Sequence, residues 1–243
     1  MSGGPVDRFP RAHDLRERMD DPACDPERLA ATFAQFGLLN DLLSGWRAAW
    51  RTVLRPHARA AAEASGRATL LDVGCGGGDL ARRLARWAAD DGVPLHVTAL
   101  DRDPRALAFA RTRPTPASVT YVGDGPDEDV GDLRAAGRRF DLVVSNHVLH
   151  HLAEADLAPF LAATDALAAR AVLHDDLIRT PFALPAFAVF SLPFRGSFVR
   201  VDGMRSIRRA WRPPELAPHL PPGAHVRRRG AFRLRVLRET EAP

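Results

Sequence analysis

The stretch Leu70-Leu71-Asp72-Val73-Gly74-Cys75-Gly76-Gly77-Gly78-Asp79-Leu80 decides the fold of this chain. An apolar strand runs into a glycine-rich turn, and a helix rich in Ala, Leu and Arg is predicted to follow over residues 79–89. Glycine lets the backbone take positive φ and approach a ligand closely, and the N-terminus of the next helix offers unpaired N–H groups. The sequence therefore predicts a ligand-binding turn between a strand and a helix.

The spacing around this turn narrows the class of ligand. No Gly-Lys-Ser/Thr closes the turn, so a P-loop is not predicted. A dinucleotide-binding turn would also combine these elements, with an acidic residue roughly 20 residues further on. Here Asp72 stands two residues before the first glycine, within D-x-G-x-G-x-G, and Asp101 ends the next apolar run, Leu95–Leu100. An ionised carboxylate at Asp101 has two acceptor oxygens, enough for both hydroxyls of a ribose.

These residues resemble the class I S-adenosylmethionine-dependent methyltransferases. The resemblance covers residues 65–240 at fold level, and its sharpest motifs lie between 70 and 151. It implies an α/β fold, namely a Rossmann-like, seven-stranded, mostly parallel sheet with helices on both faces, an N-terminal helical cap and an insertion before the last two strands. Further strands are predicted at 118–122, 140–146 and 171–174, with a two-strand ribbon around 224–229 and 232–237. Another Rossmann-like domain is the alternative.

The resemblance implies S-adenosylmethionine as the cofactor and a set of residues that would hold it. In the family, an acidic residue at the position of Asp124 meets the amino group of the adenine. The expected cofactor contacts are Asp72, Gly74, Cys75, Gly76, Asp79, Asp101, Arg102, Gly123, Asp124, Ser145 and Asn146.

Three histidines follow the predicted fourth strand, in Asn146-His147-Val148-Leu149-His150-His151-Leu152. A histidine has a pKa near working pH and suits the removal of a hydroxyl proton. The arrangement resembles small-molecule O-methyltransferases of natural-product pathways, in which a histidine after strand 4 and an aspartate after strand 5 form an acid–base pair. By position, His150 or His151 is the base, Asp175 orients it, and His147 could reach the same pocket.

The histidines could instead buttress the loop or touch the cofactor. No catalytic metal is expected, because no acidic cluster matches that of the metal-dependent catechol-type enzymes in the family. Cys75 is expected to be packed rather than reactive.

The chain is predicted to have two parts: an N-terminal helical cap at residues 1–62 and a methyltransferase domain at residues 63–243. Residues 11–62 are predicted to be helical, with a helix start at Asp25 and Pro26. Residues 176–222 are predicted to be an insertion that forms a wall or lid of an apolar substrate pocket, with ordinary core as the alternative. This insertion holds five of the chain's twelve phenylalanines: Phe182, Phe187, Phe190, Phe194 and Phe198.

Composition places limits on the partners. All 34 basic residues among the 243 are arginine, and two cysteines without a CxxC spacing make a reducing cytoplasm the expected compartment. Twelve arginines lie between Arg195 and Arg238 against only Asp202 and Glu215. They could be a nucleic-acid footprint, but codon bias with a solvated edge ribbon is favoured. Arg200, Arg205 and Arg208 could hold a carboxylate or phosphate, although a solvated surface is the simpler interpretation.

The sequence thus predicts methyl transfer to a hydroxyl of a small aromatic or polyketide-like molecule. Methylation of nitrogen or carbon, including quinone-type rings, is an alternative, and a tRNA or DNA methyltransferase or a non-catalytic binding protein is a weaker one. The Asn/Asp-Pro-Pro-aromatic tetrapeptide of exocyclic-amine methylation is absent after strand 4. A small-molecule acceptor is the expected partner, without nucleic acid or membrane, and a homodimer is left open.

Overall fold

The computed structural model describes residues 9–123 and 129–240, without the side chains of residues 41–43. Three helices precede the sheet, and a π-helical turn at Trp50–Leu54 joins the last two: α1 (Pro26–Leu43), α2 (Trp46–Ala49) and α3 (Arg55–Ser65). The predicted start of α1 is confirmed, because the Asp25 carboxylate accepts hydrogen bonds from the backbone N–H groups of Glu27 and Arg28 and Pro26 occupies the first turn.

The prediction of helix over residues 11–25 is wrong. This segment forms turns and irregular structure. Asp20-Asp21-Pro22 lies within it, and such residues favour turns because their side chains bond nearby backbone or fix φ. The irregular course matters for the site, because it carries Glu17 into the protein interior.

Within the described residues, seven strands form one sheet in the order β3-β2-β1-β4-β5-β7-β6. The first five pair in parallel, and β7 pairs antiparallel with both β5 and β6. The predicted Rossmann-like fold is confirmed. The strands are β1 (Ala68–Val73), β2 (Leu95–Leu100), β3 (Val119–Val122), β4 (Phe140–Asn146), β5 (Ala168–Leu177), β6 (His225–Arg229) and β7 (Arg233–Glu239).

Helices connect the strands and cover the sheet. One face packs against α2, α3 and the helix after the glycine turn through a large apolar cluster, and the opposite face packs against helices at residues 130–135 and 154–167. The segment between β5 and β6 carries three helices where the insertion was predicted. The helices are α4 (Asp79–Asp90), α5 (Pro104–Arg111), α6 (Val130–Ala135), α7 (Glu154–Leu167), α8 (Ala183–Phe190), α9 (Val199–Arg209) and α10 (Pro213–Leu216). The division of the chain at residues 62 and 63 stays a prediction.

Strand order reverses between β1 and β4, and ligands of open α/β sheets bind at the carboxyl ends of the strands beside such a point. Gly74 follows β1 and His147 follows β4, so the glycine turn and the histidines meet there. In the described residues, no helix combines the length and apolar character needed to cross a bilayer.

Candidate active site

One large cavity, of about 1210 Å³, opens at the carboxyl ends of the parallel strands. This volume exceeds the roughly 300–1,000 Å³ of a site for one drug-sized ligand, so a cofactor and an acceptor can share it. The glycine turn and its carboxylates form one side, and apolar residues of α1, α8 and α9 form the other.

The glycine turn approaches the cavity as the sequence predicts. Gly74 and Gly76 have φ of 70° and 53°, a region that side chains disfavour. A Cβ on Gly74 would lie 2.5 Å from Cγ2 of Val148, whereas a Cβ on Gly76 would meet no atom within 4 Å. Gly74 therefore permits close packing beneath the turn, and Gly76 presents bare backbone to the cavity.

Three carboxylates surround the turn: Asp72, Asp79 and Asp101. Burial raises the pKa of each one, and mutual repulsion raises the pKa of Asp72 further. Oδ2 of Asp72 is buried without a hydrogen-bond partner among the described residues. Asp101 accepts hydrogen bonds from the N–H groups of Gly76 at 2.7 Å and Asp103 at 2.9 Å. These three carboxylates form a cradle, and they outnumber the nearby guanidinium groups of Arg82, which acts on Asp79, and Arg102, which lines the cavity.

A cationic ligand satisfies such a cradle, whereas the diphosphate of a dinucleotide would be repelled by it. S-adenosylmethionine carries a sulfonium and an ammonium group, so the residues present fit it. The unpartnered oxygen of Asp72 and the open face of Gly76 are the local features that favour a cationic ligand at this point.

Most of the expected cofactor contacts reach the cavity. Cys75, Arg102 and Asn146 line it together with the three carboxylates, Gly74 and Gly76. The Cys75 side chain is buried, as expected, and burial raises the pKa of its thiol well above the ordinary value. Gly123 has φ of 118°, and a Cβ there would collide with the backbone oxygen of Asp101; Asp124 lies outside the described residues.

The expectation that Ser145 contacts the cofactor is wrong for its side chain. Its hydroxyl hydrogen-bonds Nδ1 of His174 at 2.7 Å, and both side chains are buried. Alternate side chains of a strand point to opposite faces, so Asn146 lines the cavity while Ser145 is turned away from it.

The sequence did not single out Asn40, which joins the cap helix to the cofactor side of the cavity. Its Nδ2 donates to Oδ2 of Asp79 at 3.0 Å, and its Oδ1 accepts from Nδ2 of Asn146 at 3.1 Å. Oδ1 of Asn146 accepts in turn from Arg233 at 2.7 Å. This polar chain ties α1, α4, β4 and β7 together beside the glycine turn.

His150 lies at the centre of a buried cluster of charges. Its Nδ1 donates to Oδ1 of Asp176 at 2.7 Å, and its Nε2 lies 3.3 Å from Oε1 of Glu17. Burial alone would lower the pKa of His150, but Asp176 and Glu17 outweigh it and raise that pKa to about 9. His150 is therefore an imidazolium at neutral pH, with both ring nitrogens directed at carboxylates.

The acidic partners of His150 are correspondingly ionised. Burial would raise the pKa of Glu17, but His151 and His150 lower it to about 2, and the Ser206 hydroxyl donates to Glu17 at 2.6 Å. The pKa of Asp176 is also held far below its usual range against burial, chiefly by His150.

The expectation that Asp175 orients the histidine base is wrong. Its carboxylate pairs with Arg233, and with Arg235 at 2.7 Å and 2.9 Å. The predicted strand 171–174 in fact continues to Leu177, so Asp175 and Asp176 lie within it on opposite faces. Asp175 stands opposite Arg235 in the register with β7, and Asp176 faces His150 instead.

His147 lines the cavity with a backbone φ of 63°. Its Nε2 accepts a hydrogen bond from Arg233 at 2.9 Å. Burial first, and then the charge of Arg233, lower the pKa of His147 well below its usual value. His147 is thus neutral, and the lone pair of its Nε2 is engaged by a guanidinium.

His151 differs from the other two histidines. Its side chain is 33% exposed and lines the cavity. Its Nδ1 lies 3.6 Å from Oδ2 of Asp20, and its Nε2 lies 3.8 Å from Oε1 of Glu17. Both separations are too long for a hydrogen bond, so the ring can reach a molecule in the cavity while two carboxylates stand near it.

Potential metal donors also meet in this cluster. Among the described residues, Glu17, His150 and His151 bring donor atoms within 4.8 Å of one another, as do His147, His150 and Asp176. A metal binds histidine through a neutral nitrogen, and His150 is shared by both groups. His150 pairs with both Glu17 and Asp176 in this cluster, and the absence of a catalytic metal stays a prediction.

The side of the cavity opposite the glycine turn is apolar, and the role of the insertion as a wall of a substrate pocket stays a prediction. Phe187 and Phe190 of α8 line this side with Phe36 and Leu39 of α1. The Phe187 ring lies against the backbone of α9 at Gly203, where a Cβ would come within 2.2 Å of the ring. Of the five phenylalanines noted in the sequence, Phe182 is 80% exposed, and Phe198 packs in a cluster with α1 and α5.

Several arginines of the C-terminal part are structural. Arg233, Arg235 and Arg238 are buried in ion pairs with Asp175 or Asp165, so the expectation of a solvated ribbon is wrong for them. Arg200 and Arg208 are exposed, and Arg205 donates to the backbone oxygen of Arg16. None of these last three lines the cavity.

Comparison with known proteins places residues 70–170 in a family of methyltransferase domains. A ubiquinone biosynthesis O-methyltransferase of Methylobacterium sp. is 40% identical over 93 residues, which are 38% of this chain and 33% of that protein. An uncharacterized methyltransferase of Mycobacterium bovis is 45% identical over 83 residues, 34% of this chain and 37% of that protein. The matched part spans about a third of the length of these relatives.

Solved structures share the fold. A plantazolicin methyltransferase in complex with S-adenosylhomocysteine aligns with a TM-score of 0.53 at 9% identity, over 88% of this chain and 96% of that chain. At this identity the alignment demonstrates the architecture alone.

Proposed function

Residues 70–170 form a methyltransferase domain of the class I S-adenosylmethionine-dependent type, and from this premise we propose that the protein methylates a hydroxyl of a small apolar molecule, aromatic or polyketide-like. The bound cofactor supplies an activated methyl group with a good leaving group. The chain must then hold the cofactor, align the acceptor and remove its hydroxyl proton.

The cradle of Asp72, Asp79, Asp101 and the Gly76 backbone would hold the cofactor. Its carboxylates complement the positive charges, and the two oxygens of Asp101 have further lone pairs for ribose hydroxyls. Asn40 and Asn146 place amide groups at the boundary between this cradle and the acceptor side.

His151 is the proposed base. His150 is an imidazolium between two carboxylates, and Nε2 of His147 accepts from Arg233, so neither offers a free lone pair. His151 faces the cavity with both nitrogens beyond hydrogen-bond distance of Glu17 and Asp20. This contrast among the three histidines is the observation that carries the proposal.

The chemistry is an in-line displacement. When bound, S-adenosylmethionine would supply its methyl group to the acceptor oxygen and leave as S-adenosylhomocysteine, and the hydroxyl proton would pass to His151 and then to solvent. Glu17 and Asp20 stabilise the imidazolium that forms. His150 is fixed by Asp176, and its ring lies next to that of His151 with centroids 4.3 Å apart and planes tilted by 38°, so it positions the base rather than acting as one.

The cavity favours an apolar acceptor with a hydroxyl. Phe36, Leu39, Phe187 and Phe190 can bury such a molecule, and His151 with Glu17 supplies the polar end. A neutral amine already has a lone pair for attack, so a base of this kind suits a hydroxyl better. The name of the Methylobacterium relative also refers to O-methylation.

The experiment compares His151→Ala and His151→Gln with the wild-type protein. S-adenosylmethionine binding is measured by calorimetry, and S-adenosylhomocysteine formation is measured with phenolic, quinol and polyketide acceptors. We expect unchanged cofactor affinity and turnover lowered about 10²–10⁴-fold, the usual contribution of a general base.

His13→Ala, which changes a histidine with a 69% exposed side chain, is the matched control. Wild-type turnover in both His151 variants would overturn the base assignment, and failure to bind the cofactor would overturn the function itself.

A further inference from the structure

Large apolar side chains are exposed on the segments that line the cavity. Among the described residues six such side chains are exposed, and each one lines the cavity or lies within two positions of a residue that does. Scattered exposed apolar residues need no explanation, but a contiguous group marks an interaction site. The six are Leu38, Phe182, Val189, Leu192, Val201 and Phe232.

Three of the six, Phe182, Val189 and Leu192, lie in helix α8 or within two residues of its ends. The inner face of α8, which includes Phe187 and Phe190, lines the cavity. Val189 on the helix is 69% exposed, and Phe182, which directly precedes the helix, is 80% exposed. A helix that is hydrophobic all round is normally buried on every side. The outer side of α8 is apolar but is not packed against another part of the described residues.

The charges beside α8 indicate which kind of partner would bind its outer side. No Asp or Glu occurs from Leu177 to Val201, and Arg195 and Arg200 in this segment are exposed. A second copy of the chain docked through the same patch would bring these arginines together without a carboxylate from the segment to pair them. An anionic and apolar surface complements the patch better.

We propose that the apolar rim, defined as Leu38, Phe182, Val189, Leu192, Val201 and Phe232, docks on the surface of a lipid bilayer that contains anionic lipids. Apolar side chains enter the boundary between headgroups and acyl chains, and arginines meet the phosphates. The cavity mouth then faces the bilayer, from which an apolar acceptor can enter without crossing water. An eight-residue helix can lie on a bilayer surface without spanning it, so this proposal replaces the expectation that the protein has no membrane partner.

The test is co-sedimentation of the full chain with vesicles of phosphatidylcholine alone or mixed with phosphatidylglycerol. We expect binding to the mixed vesicles, weakened by added salt. The double variant Phe182→Ser/Val189→Ser removes exposed side chains that do not line the cavity, and should weaken binding at least tenfold. Arg195→Gln and Arg200→Gln should each weaken it about fivefold. Arg51→Gln, exposed on the π-helical turn, is the control and should bind like the wild type.

Three results would overturn the proposal. One is no binding to either vesicle, and another is binding that the double variant leaves unchanged. The third is a dimer in sedimentation velocity without lipid that the double variant converts to monomer, since a second copy would then cover the rim. Circular dichroism checks that the variants fold. None of these experiments measures methyl transfer. The membrane-docking proposal is therefore tested independently of the proposed enzymatic activity.

Discussion

The carboxylate of Asp176 accepts a hydrogen bond from Nδ1 of His150 at 2.7 Å, and it accepts a second from the His150 backbone N–H at 2.9 Å. Two bonds to one residue fix both the ring and the loop that follows β4. His150 in turn separates Asp176 from Glu17, so three buried charges alternate in sign at the wall of the cavity.

Replacement of Asp176 tests this alternation. Asp176→Asn removes one of the two negative charges that face His150, so the pKa of His150 should fall from about 9. Breaking a buried pair costs roughly 3–5 kcal/mol, so we expect a clear loss of stability. Turnover should fall at least tenfold, because His150 would no longer hold the neighbouring His151 ring in place. NMR titration of the histidines and denaturant unfolding provide the measurements.

Asp175→Asn is the matched comparison one residue away. It leaves Arg233 and Arg235 with an amide in place of their shared carboxylate, so stability should fall by a similar roughly 3 kcal/mol or more. The pKa of His150 should stay near 9, because Asp175 faces the other side of β5. A drop in the His150 pKa in this variant, or none in Asp176→Asn, would refute the assignment of the two faces.

The pH dependence of stability follows from the same cluster. Folding raises the pKa of His150 from 6.5 to about 9, so its stabilising contribution is complete below pH 6.5 and is lost as pH rises through 9. The shift corresponds to roughly 3 kcal/mol. We expect His150→Gln to be less stable than the wild type by about that amount near pH 6 and by much less above about pH 9.5. Urea unfolding at both pH values measures this; a difference that grows with pH would contradict the sign.

The sequence predicted the fold around the glycine turn because the signals there are local. Asp72 lies in β1 two residues before Gly74, and Asp101 directly follows the adjacent strand β2, so strand order alone brings them together. The histidine cluster was found for the same reason. Its partners depend on details that the pattern does not contain: β5 continues through Asp175 and Asp176 as a strand, and the alternation of faces then selects Asp176. Glu17 lies in an irregular segment, and only tertiary packing brings it to His150.

Cofactor binding should release protons. Burial raises the pKa values of Asp72, Asp79 and Asp101 in the free protein, and a cation bound among them lowers these values again. Affinity for S-adenosylmethionine should therefore rise with pH through the range where these groups titrate. Calorimetry in two buffers of different ionisation enthalpy measures the protons released. The Asp72→Asn variant should release fewer protons on cofactor binding than the wild type. The Asp14→Asn variant, which changes an exposed residue, should release as many protons as the wild type. Proton uptake on binding would contradict a cationic cradle.

The contact between Gly203 and Phe187 allows the acceptor side to be tested without touching the cofactor side. A Cβ at residue 203 would come within 2.2 Å of the Phe187 ring, so Gly203→Ala must displace that ring into the acceptor space or move α8. We expect KM for the acceptor to rise about tenfold or more while the cofactor affinity stays unchanged, because a misplaced wall weakens acceptor alignment.

Gly37→Ala is the matched control, since it also adds a methyl to a helical glycine but meets its nearest atom at 3.7 Å. That variant should retain wild-type kinetics and gain up to about 1 kcal/mol of stability from the helix preference of alanine. Equal kinetics in the two variants would show that the Phe187 wall does not contact the acceptor.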